Sequence, residues 1–527
     1  MNATRRIRDA LAAIGLAVIT LVAYHDILRL WWMYDDAYHL NVIAVTPVSH
    51  FATSSAFWRA FVAPVFTPLL LLSLAGDVAI VNHNPYGFYL HQLLAAAVVA
   101  PLLYVFLRLW LPWSAAFLVA LTAVAGAPMM QIVTLLMLRH YVEGLLLAVL
   151  AAIAHVVGVR KNSDSLTACS AALALGAMLA KEVYVPLPFL LAFVPNGRSL
   201  RRLGPHALAL TVYSVWRIAL LGPALRGYGW TVRPSGWARV MATLPFRCLR
   251  TLAMGCASGQ FLMLFLLVAV ALVAIKLRLS RMLIIVAALA AVGPVLPVSI
   301  ELEPRYALGI WLALVMTAAF AAIAMPRAGT ALLVGAAICA IAANRQVWPG
   351  EMQRLRQMST EGRAFAMLLP GDVLRNPTIP PSALGELQRL TGSPAVGSYD
   401  DVLLCERQIV PARLFQFDTT TRQVRAISWH EVERSCAMRR PLPLYASFTL
   451  AAGDSFYWTL GPRQDGRYRF ILGSQAFDVP RDGGFRLPTL RHVVLRVAYV
   501  APEGWTSYSP ALTLNLDDRR EVLWRSR

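Results

Sequence analysis

Residues 259–275 read "GQFLMLFLLVAVALVAI", an apolar run without a charged side chain that ends at Lys276. A helix rises about 1.5 Å per residue, so a run of about 20 residues crosses the hydrocarbon core of a bilayer. Comparable runs recur along the 527-residue chain, whose mean hydropathy is +0.58 and whose charged fraction is only 14%. Soluble domains carry about 25% charged residues. The sequence therefore predicts a polytopic α-helical membrane protein, and it lacks the alternating strands of about ten residues that build membrane β-barrels.

The net charge of +20 comes almost entirely from arginine, because the chain contains only three lysines, Lys161, Lys181 and Lys276. In the apolar part most basic residues stand in short connections between runs, where the positive-inside rule places them. This distribution indicates membrane topology and argues against a nucleic-acid partner. The basic start, residues 5–8, precedes an apolar run without a small-x-small cleavage pattern. We therefore expect a retained signal-anchor helix with a cytoplasmic N-terminus.

Apolar length and the positions of arginine and lysine together predict about eleven transmembrane helices. Ten have these approximate bounds: 9–30, 86–110, 113–136, 141–158, 165–180, 206–223, 259–275, 282–298, 306–325 and 329–347. A short further span follows the turn at residues 180–188, and residues 67–81, interrupted by Asp77, are predicted to be re-entrant or interfacial. This topology leaves outer loops at 31–66, 224–258 and 299–305.

The composition changes near residue 348, and no apolar run of spanning length follows. A short helical stretch at 350–368 precedes strand-like runs such as "PLYASFTL" (443–450), "RYRFILG" (467–473) and "HVVLRVAYV" (492–500), with Gly- and Pro-rich turns between them. We therefore predict a transmembrane domain over 1–347 and a soluble β-rich domain over 348–527.

The compartment of the soluble domain follows from the topology, which places the C-terminus outside. The scarcity of lysine is typical of a GC-rich bacterial genome, so we predict the bacterial inner membrane with this domain in the periplasm. A disulfide between Cys405 and Cys436 is permitted there. Two free, buried cysteines fit the sequence equally well, because it does not give the distance between them.

An acid pair, Asp35 and Asp36, lies in "WWMYDDAYHL" (31–40), directly after the first apolar run. Adjacent side chains on a helix point about 100° apart, so the two acids are expected to have different roles. One is a candidate general base, and the other a loop anchor or helix N-cap. The alternative is two solvated acids that cap a helix at 37–42. A doubled aspartate is also compatible with a divalent cation, although the cysteines show no metal-ligand spacing.

Two further motifs fall on the same predicted outer side. "AKEVYVPLP" (180–188) carries Lys181 and Glu182, and "ELEPRYALGIW" (301–311) carries Arg305 and Tyr306. Lysine and arginine at these positions are candidate phosphate ligands, with arginine able to form a bidentate fork. The alternatives are a snorkelling lysine with an interfacial ion pair, and an interfacial arginine–tyrosine belt pair.

The remaining candidates are ionisable residues within or next to predicted spans, where their cost makes a function plausible. They are His91 in "NHNPYGFYLHQLL" (82–94) and Arg139 with His140 in "LMLRHYVEG" (136–144). For each, the alternative is a packing residue whose polar atoms are satisfied. The basic outer loop 224–258 is a candidate contact for phosphates, lipid headgroups or an anionic glycan, or it is a long loop exempt from the positive-inside trend.

Taken in order, these motifs resemble the GT-C superfamily of integral-membrane glycosyltransferases, most closely the branch of protein O-mannosyltransferases and related bacterial lipid-linked sugar transferases. The matching stretches are "YDDAYHLN" (34–41), "FTPLLLLSL" (66–74), "NPYGFYLHQLLAA" (84–96), "LLMLRHYVEGLLLA" (135–148), "LAKEVYVPLP" (179–188) and "EPRYAL" (303–308). The resemblance covers roughly residues 10–325. It departs in the second span, where only His91 matches a histidine of the family motif. The C-terminal domain also differs from that of the mannosyltransferase branch, so the acceptor does not carry over.

The resemblance implies an inverting transfer from a polyprenyl-phosphate-linked sugar to an acceptor hydroxyl on the outer side of the membrane. It implies that Asp35 or Asp36 is the base, with Asp35 slightly favoured. Lys181 and Arg305 would hold the donor phosphate, and Glu182 would fix Lys181.

Secondary candidates for the site are His91, Arg139, His140 and Tyr306. The acceptor would be a glycan, a glycolipid or a protein. The competing classes are a transporter or flippase of lipid-linked sugars and a non-catalytic scaffold. A transporter is less favoured, because the hydropathy shows no duplicated half and the ionisable residues gather at one face.

Overall fold

Six helices in the described residues are long and apolar enough to cross a membrane: Ala3–Arg29, Pro85–Leu107, Leu136–Lys161, Ala257–Lys276, Pro304–Ala324 and Pro326–Phe365. A seventh is added if Trp113–Ala125 and Ala127–Thr134, which meet at a 56° bend, count as one span. The structure is a computed structural model that describes residues 3–61, 65–194, 199–222, 237–277, 288–289, 291–293, 302–376, 381–392, 397–406, 413–418, 420–421, 423–451, 455–472, 475–486, 492–515 and 521–525. The polytopic helical class is confirmed. The count of eleven stays a prediction, since the proposed span 282–298 falls almost entirely outside these residues.

The chain divides into two compact units. The helical unit comprises residues 1–30, 42–226 and 243–353, and the β-rich unit comprises residues 31–41, 227–242 and 354–527. Residues 31–41 of the predicted outer loop 31–66 thus share a unit with the C-terminal region, whereas residues 42–66 belong to the helical unit.

The helices up to the last long one are α1 (Ala3–Tyr24), α2 (Asp36–Val45), α3 (His50–Thr53), α4 (Ser55–Ala60), α5 (Pro68–Val81), α6 (Pro85–Leu107), α7 (Trp113–Ala125), α8 (Ala127–Thr134), α9 (Arg139–Lys161), α10 (Asp164–Ala180), α11 (Leu187–Leu191), α12 (Leu200–Leu221), α13 (Trp237–Leu252), α14 (Ala257–Leu277), α15 (Leu308–Ala319), α16 (Ala321–Ala324) and α17 (Pro326–Phe365). Short 3-10 turns occupy His25–Arg29, Leu136–Leu138, Glu182–Tyr184 and Pro304–Ala307.

Local sequence sets several of these boundaries. Asn84 caps α6 by accepting a hydrogen bond from the Tyr86 N–H at 3.2 Å, and Pro85 occupies the first turn, where its missing N–H costs nothing. Asn162 ends α9 in the left-handed conformation, with φ of 52°. The start of α6 and the end of α9 are therefore encoded locally.

The predicted span 113–136 is not one straight helix, because it breaks at Gly126 between α7 and α8. A Cβ on Gly126 would lie 2.3 Å from the Trp311 ring. The buried Trp311 indole also donates a hydrogen bond to the Ala123 carbonyl at 2.9 Å. The bend thus lets a large indole from α15 pack against the backbone.

Two other sequence expectations also differ from the structure. The proposed span 329–347 and helical piece 350–368 form one continuous helix, α17, which runs through Pro349. The outer loop 224–258 contains α13 and the start of α14, while its residues 224–236 lie outside the described part.

The β-rich unit begins with a small mixed sheet built from β1 (Asp372–Arg375), β2 (Gly397–Tyr399), β3 (Arg413–Asp418) and β4 (Gln423–Ile427) in the order β2-β1-β3-β4. β1 pairs in parallel with β2 and β3, and β4 is antiparallel to β3. The helices of this part are α18 (Pro381–Thr391), α19 (Asp401–Cys405) and α20 (Trp429–Ala437). A disulfide joins Cys405 to Cys436, with Cα atoms 5.5 Å apart, so the pairing that the sequence left open is formed.

Two antiparallel sheets follow, built from β5 (Tyr445–Ala451), β6 (Ser455–Gly461), β7 (Arg467–Leu472), β8 (Gln475–Val479), β9 (Asp482–Arg486), β10 (His492–Val500), β11 (Thr506–Tyr508), β12 (Leu512–Asn515) and β13 (Glu521–Arg525). One has the order β13-β5-β6-β9, and the other β11-β10-β7-β8 with β12 also on β10. Alternate residues of both sheets share one core around Trp458, whose ring lies 4.9 Å from that of Phe470. The predicted β-rich C-terminal region is confirmed.

Candidate active site

The two acids of the first outer loop have different surroundings within the β-rich unit. Asp36 begins α2 and is buried, and its carboxylate accepts a hydrogen bond from the Met33 N–H at 2.9 Å. Asp35 is exposed, and its carbonyl accepts from the His39 N–H at 3.0 Å. The buried carboxylate therefore closes the turn, whereas the exposed one is open to solvent.

His39, one turn further along α2, is buried next to this turn. Burial lowers the pKa of His39, and the negative charge of Asp35 opposes the shift. A lowered pKa keeps this imidazole neutral at pH 7. Sequence reasoning did not select His39, although it lies in the quoted motif.

Lys181 follows the last residue of α10 in the helical unit and is 8% exposed. Its Nζ lies 5.1 Å from the centre of the Tyr141 ring, a cation–π contact. Burial lowers the pKa of Lys181 to about 8, with Glu182 acting to raise it and Arg305 to lower it. The two predicted phosphate-binding cations are therefore close enough to influence each other.

The turn that carries Lys181 is fixed by close packing. A Cβ on Gly144 of α9 would lie 2.3 Å from the Tyr184 ring, so only glycine leaves room for that ring. The Tyr184 hydroxyl donates to the Tyr141 carbonyl at 2.5 Å. This packing holds the 3-10 turn after Lys181 against α9.

Arg305 lies in the 3-10 turn before α15 and is held on several sides. Its Nη2 donates to Glu303 and to the Tyr306 hydroxyl, both at 3.0 Å. Its backbone N–H donates to Gln131 at 2.8 Å, and Gln131 in turn donates to Glu303 at 2.6 Å. The Arg305 Nε is buried and has no hydrogen-bond partner among the described residues. Its guanidinium thus retains a buried donor.

Glu182 accepts a hydrogen bond from Arg217 Nε of α12 at 2.7 Å. The sequence predicts that Glu182 orients Lys181, and the charge of Glu182 acts to raise the pKa of that ammonium. Sequence reasoning missed Arg217. The available signal was a single arginine within an otherwise apolar stretch of α12.

A second polar cluster joins α5, α6 and α9. The carboxylate of Asp77 accepts from Arg139 and lies 2.8 Å from His91 Nδ1. The fully buried Arg139 also donates to the Phe88 carbonyl at 2.7 Å. Glu143 accepts from the Ser73 hydroxyl, and one of its oxygens lies 3.9 Å from His91 Nε2.

His91 is the most open member of this second cluster, with 43% of its side chain exposed. His140, the remaining candidate, is buried beside Tyr141, with ring centres 4.8 Å apart. Sequence reasoning selected His91 and Arg139 but recorded Asp77 only as an interruption of an apolar run. An aspartate inside such a run was itself the signal for this ion pair.

Metal-ligating side chains do not converge in the described part of the chain, where no group of three His, Cys, Asp or Glu residues could hold an ion.

No protein-family model matches the chain, and neither does any curated protein. Among solved structures, the chain is similar to ArnT from Cupriavidus metallidurans bound to undecaprenyl phosphate, with 14% sequence identity and a TM-score of 0.47. That match covers 80% of this chain and 94% of the other. The apo state of the same protein matches with 12% identity and a TM-score of 0.44, covering 77% and 93%.

Proposed function

We propose that this protein is an inverting glycosyltransferase. It moves a sugar from a polyprenyl-phosphate-linked donor to an acceptor hydroxyl on the outer side of the membrane. The observation that carries the proposal is the pair of cations in the helical unit, Lys181 and Arg305. Both are largely buried, and the charge of Arg305 lowers the pKa of Lys181. Two buried like charges repel and are costly to desolvate, which favours a site that receives an anion.

The phosphate of the polyprenyl-linked sugar could accept hydrogen bonds from both of these side chains. The Arg305 Nε is a buried hydrogen-bond donor, and the Lys181 ammonium has three N–H groups. Both could hydrogen-bond phosphate oxygens and stabilise the negative charge that develops there as the sugar leaves. Glu182, which follows Lys181, also accepts a hydrogen bond from Arg217. Glu303, which pairs with Arg305, also accepts one from Gln131.

Asp35 is the proposed base. It takes the proton of the acceptor hydroxyl, whose oxygen attacks the anomeric carbon as the bond from that carbon to the phosphate oxygen breaks. The leaving group is the lipid phosphate. Support comes from the exposure of Asp35 and from the engagement of the Asp36 carboxylate with the backbone of Met33.

A periplasmic location of the β-rich unit is part of the same proposal. The disulfide between Cys405 and Cys436 supports it, because such bonds persist in oxidising compartments such as the bacterial periplasm.

The test compares Asp35→Asn, Asp36→Asn and the control Asp26→Asn in purified, reconstituted protein. The substrates are undecaprenyl-phosphate-linked sugars presented to membranes that contain native acceptors, and the readouts are released undecaprenyl phosphate and donor binding. We expect Asp35→Asn to bind donor normally but to lose at least 100-fold in turnover. Full transfer by both acid variants would show that the base is wrongly assigned. Movement of lipid-linked sugar between leaflets without transfer would favour the transporter alternative.

A further inference from the structure

The segment Trp31–Asn41, which carries the acid pair, is tied to the C-terminal region of its own unit at three points. The Trp31 N–H donates to the Ser359 hydroxyl at 2.6 Å, at the start of the segment. Arg354 Nη1 donates to the Tyr34 hydroxyl, just before the acids. Asn41, at the end, reaches Glu386. The three partners lie on α17 and α18, so two helices hold this segment of eleven residues, which includes the start of α2, at both ends and near its middle.

The contact between Arg354 and Tyr34 restrains a residue with a strained backbone conformation. Tyr34 has φ of 47°, in the left-handed region that bulky side chains rarely adopt, and it directly precedes Asp35. Such a conformation costs on the order of 1–3 kcal/mol and persists only when surrounding contacts enforce it. The guanidinium of Arg354 holds the tyrosine twice, by the hydrogen bond and by stacking 6.0 Å from the ring centre. This φ angle sets the direction in which the chain enters Asp35.

The contact at the end of the segment is a double hydrogen bond. Asn41 Nδ2 donates to the Glu386 carbonyl at 2.8 Å and to its carboxylate at 2.7 Å. Burial raises the pKa of Tyr38 in the same segment, and the negative charges of Glu386 and Asp35 raise it further, while Arg389 opposes the shift. Glu386 is thus fixed to the last residue of the segment.

We infer that Arg354 and Glu386 are positioning residues for Asp35. Arg354 holds the turn at Tyr34 in its strained conformation, and Glu386 holds the end of the segment at Asn41, so that the Asp35 carboxylate keeps one orientation. A general base must be placed within hydrogen-bond reach of the proton it takes, and a loop provides that precision only when other elements fix it. The inference rests on the proposed function for the role of Asp35, but the restraint of the loop is testable without it.

The first arm of the test measures hydrogen exchange of the backbone in peptides from residues 31–41, using the full-length protein in detergent. Glu386→Ala removes the carboxylate, whereas Glu386→Gln keeps an oxygen that can accept from Asn41. Arg354→Ala is compared in the same way with Arg354→Lys. We expect the alanine variants to exchange at least tenfold faster in this segment and Glu386→Gln to stay within twofold of the wild type. Glu433→Ala, at an exposed site on α20, is the matched control.

The second arm separates positioning from binding. Affinity for undecaprenyl phosphate should stay within twofold of wild type in Glu386→Ala, while kcat falls at least tenfold and Glu386→Gln restores it. Unchanged exchange in both alanine variants would overturn the restraint. Faster exchange with unchanged kcat would overturn the positioning role. If the wild-type protein transfers no sugar at all, the proposed function fails, and with it the catalytic part of this inference, while the exchange data still decide the restraint.

Discussion

The buried ammonium of Lys181 predicts a specific pH dependence of donor binding. Burial lowers its pKa to about 8, with Arg305 adding to the shift. Only the charged form attracts a phosphate, so the affinity should follow the protonated fraction. That fraction falls from about 0.9 at pH 7 to about 0.1 at pH 9, which is a tenfold loss of affinity, or about 1.4 kcal/mol. A lysine at its ordinary pKa would lose almost no charge over this interval.

The assay is binding of undecaprenyl phosphate to purified protein at fixed ionic strength between pH 7 and pH 9, where the lipid phosphate changes little in charge. Lys181→Arg keeps a permanent cation, so its affinity should not depend on pH in this range. Lys181→Met removes the cation, so binding should be weak and equally independent of pH. Lys276→Met, at the end of α14, is the control and should behave as the wild type does.

Two outcomes would refute the reasoning about Lys181. If the wild type and Lys181→Met show the same slope against pH, another group produces the dependence. A wild-type affinity that stays constant up to pH 9 would mean that the ammonium remains charged there, or that it does not contact the phosphate.

Three further predictions concern binding and stability. Arg305→Ala should raise the donor KM about 10- to 100-fold and also lower kcat, as steady-state kinetics would show, because charge-assisted hydrogen bonds are lost both to the bound phosphate and to the charge that develops on it; unchanged donor binding would remove its assigned role. Arg139→Met should lower the free energy of unfolding by about 3–5 kcal/mol, since it leaves the Asp77 carboxylate buried without its cation; thermal unfolding in detergent measures this, and an unchanged midpoint would contradict it. Replacing Cys405 and Cys436 by serine frees a loop with a sequence separation of 31 and should cost about 3–4 kcal/mol in denaturant titrations; equal stability would indicate that the reduced unit is already constrained.

The sequence was sufficient to predict the elements whose signal is local. Hydropathy over about 20 residues identified the long apolar helices. Alternation of polar and apolar residues with period two identified three strands of the two antiparallel sheets, β5, β7 and β10. Short motifs selected Lys181 and Arg305, because ionisable residues at the ends of apolar runs stand out against their neighbours. In each case the information lies within one helix or strand, where neighbouring residues determine the structure.

Tertiary structure alone decided the arrangements that depend on distant partners. Asp36 is buried in the fold and Asp35 is exposed. Because the two residues are identical and adjacent, the sequence does not indicate which of them is buried. Tertiary structure paired Arg139 with Asp77 across 62 residues and Glu182 with Arg217 across 35. It also placed the acid pair in the same unit as residues 354–527. Composition and periodicity describe which face of an element is apolar, but they do not encode which distant face it meets. The choice of partners depends on packing and on satisfying buried polar groups, and these are properties of the whole fold.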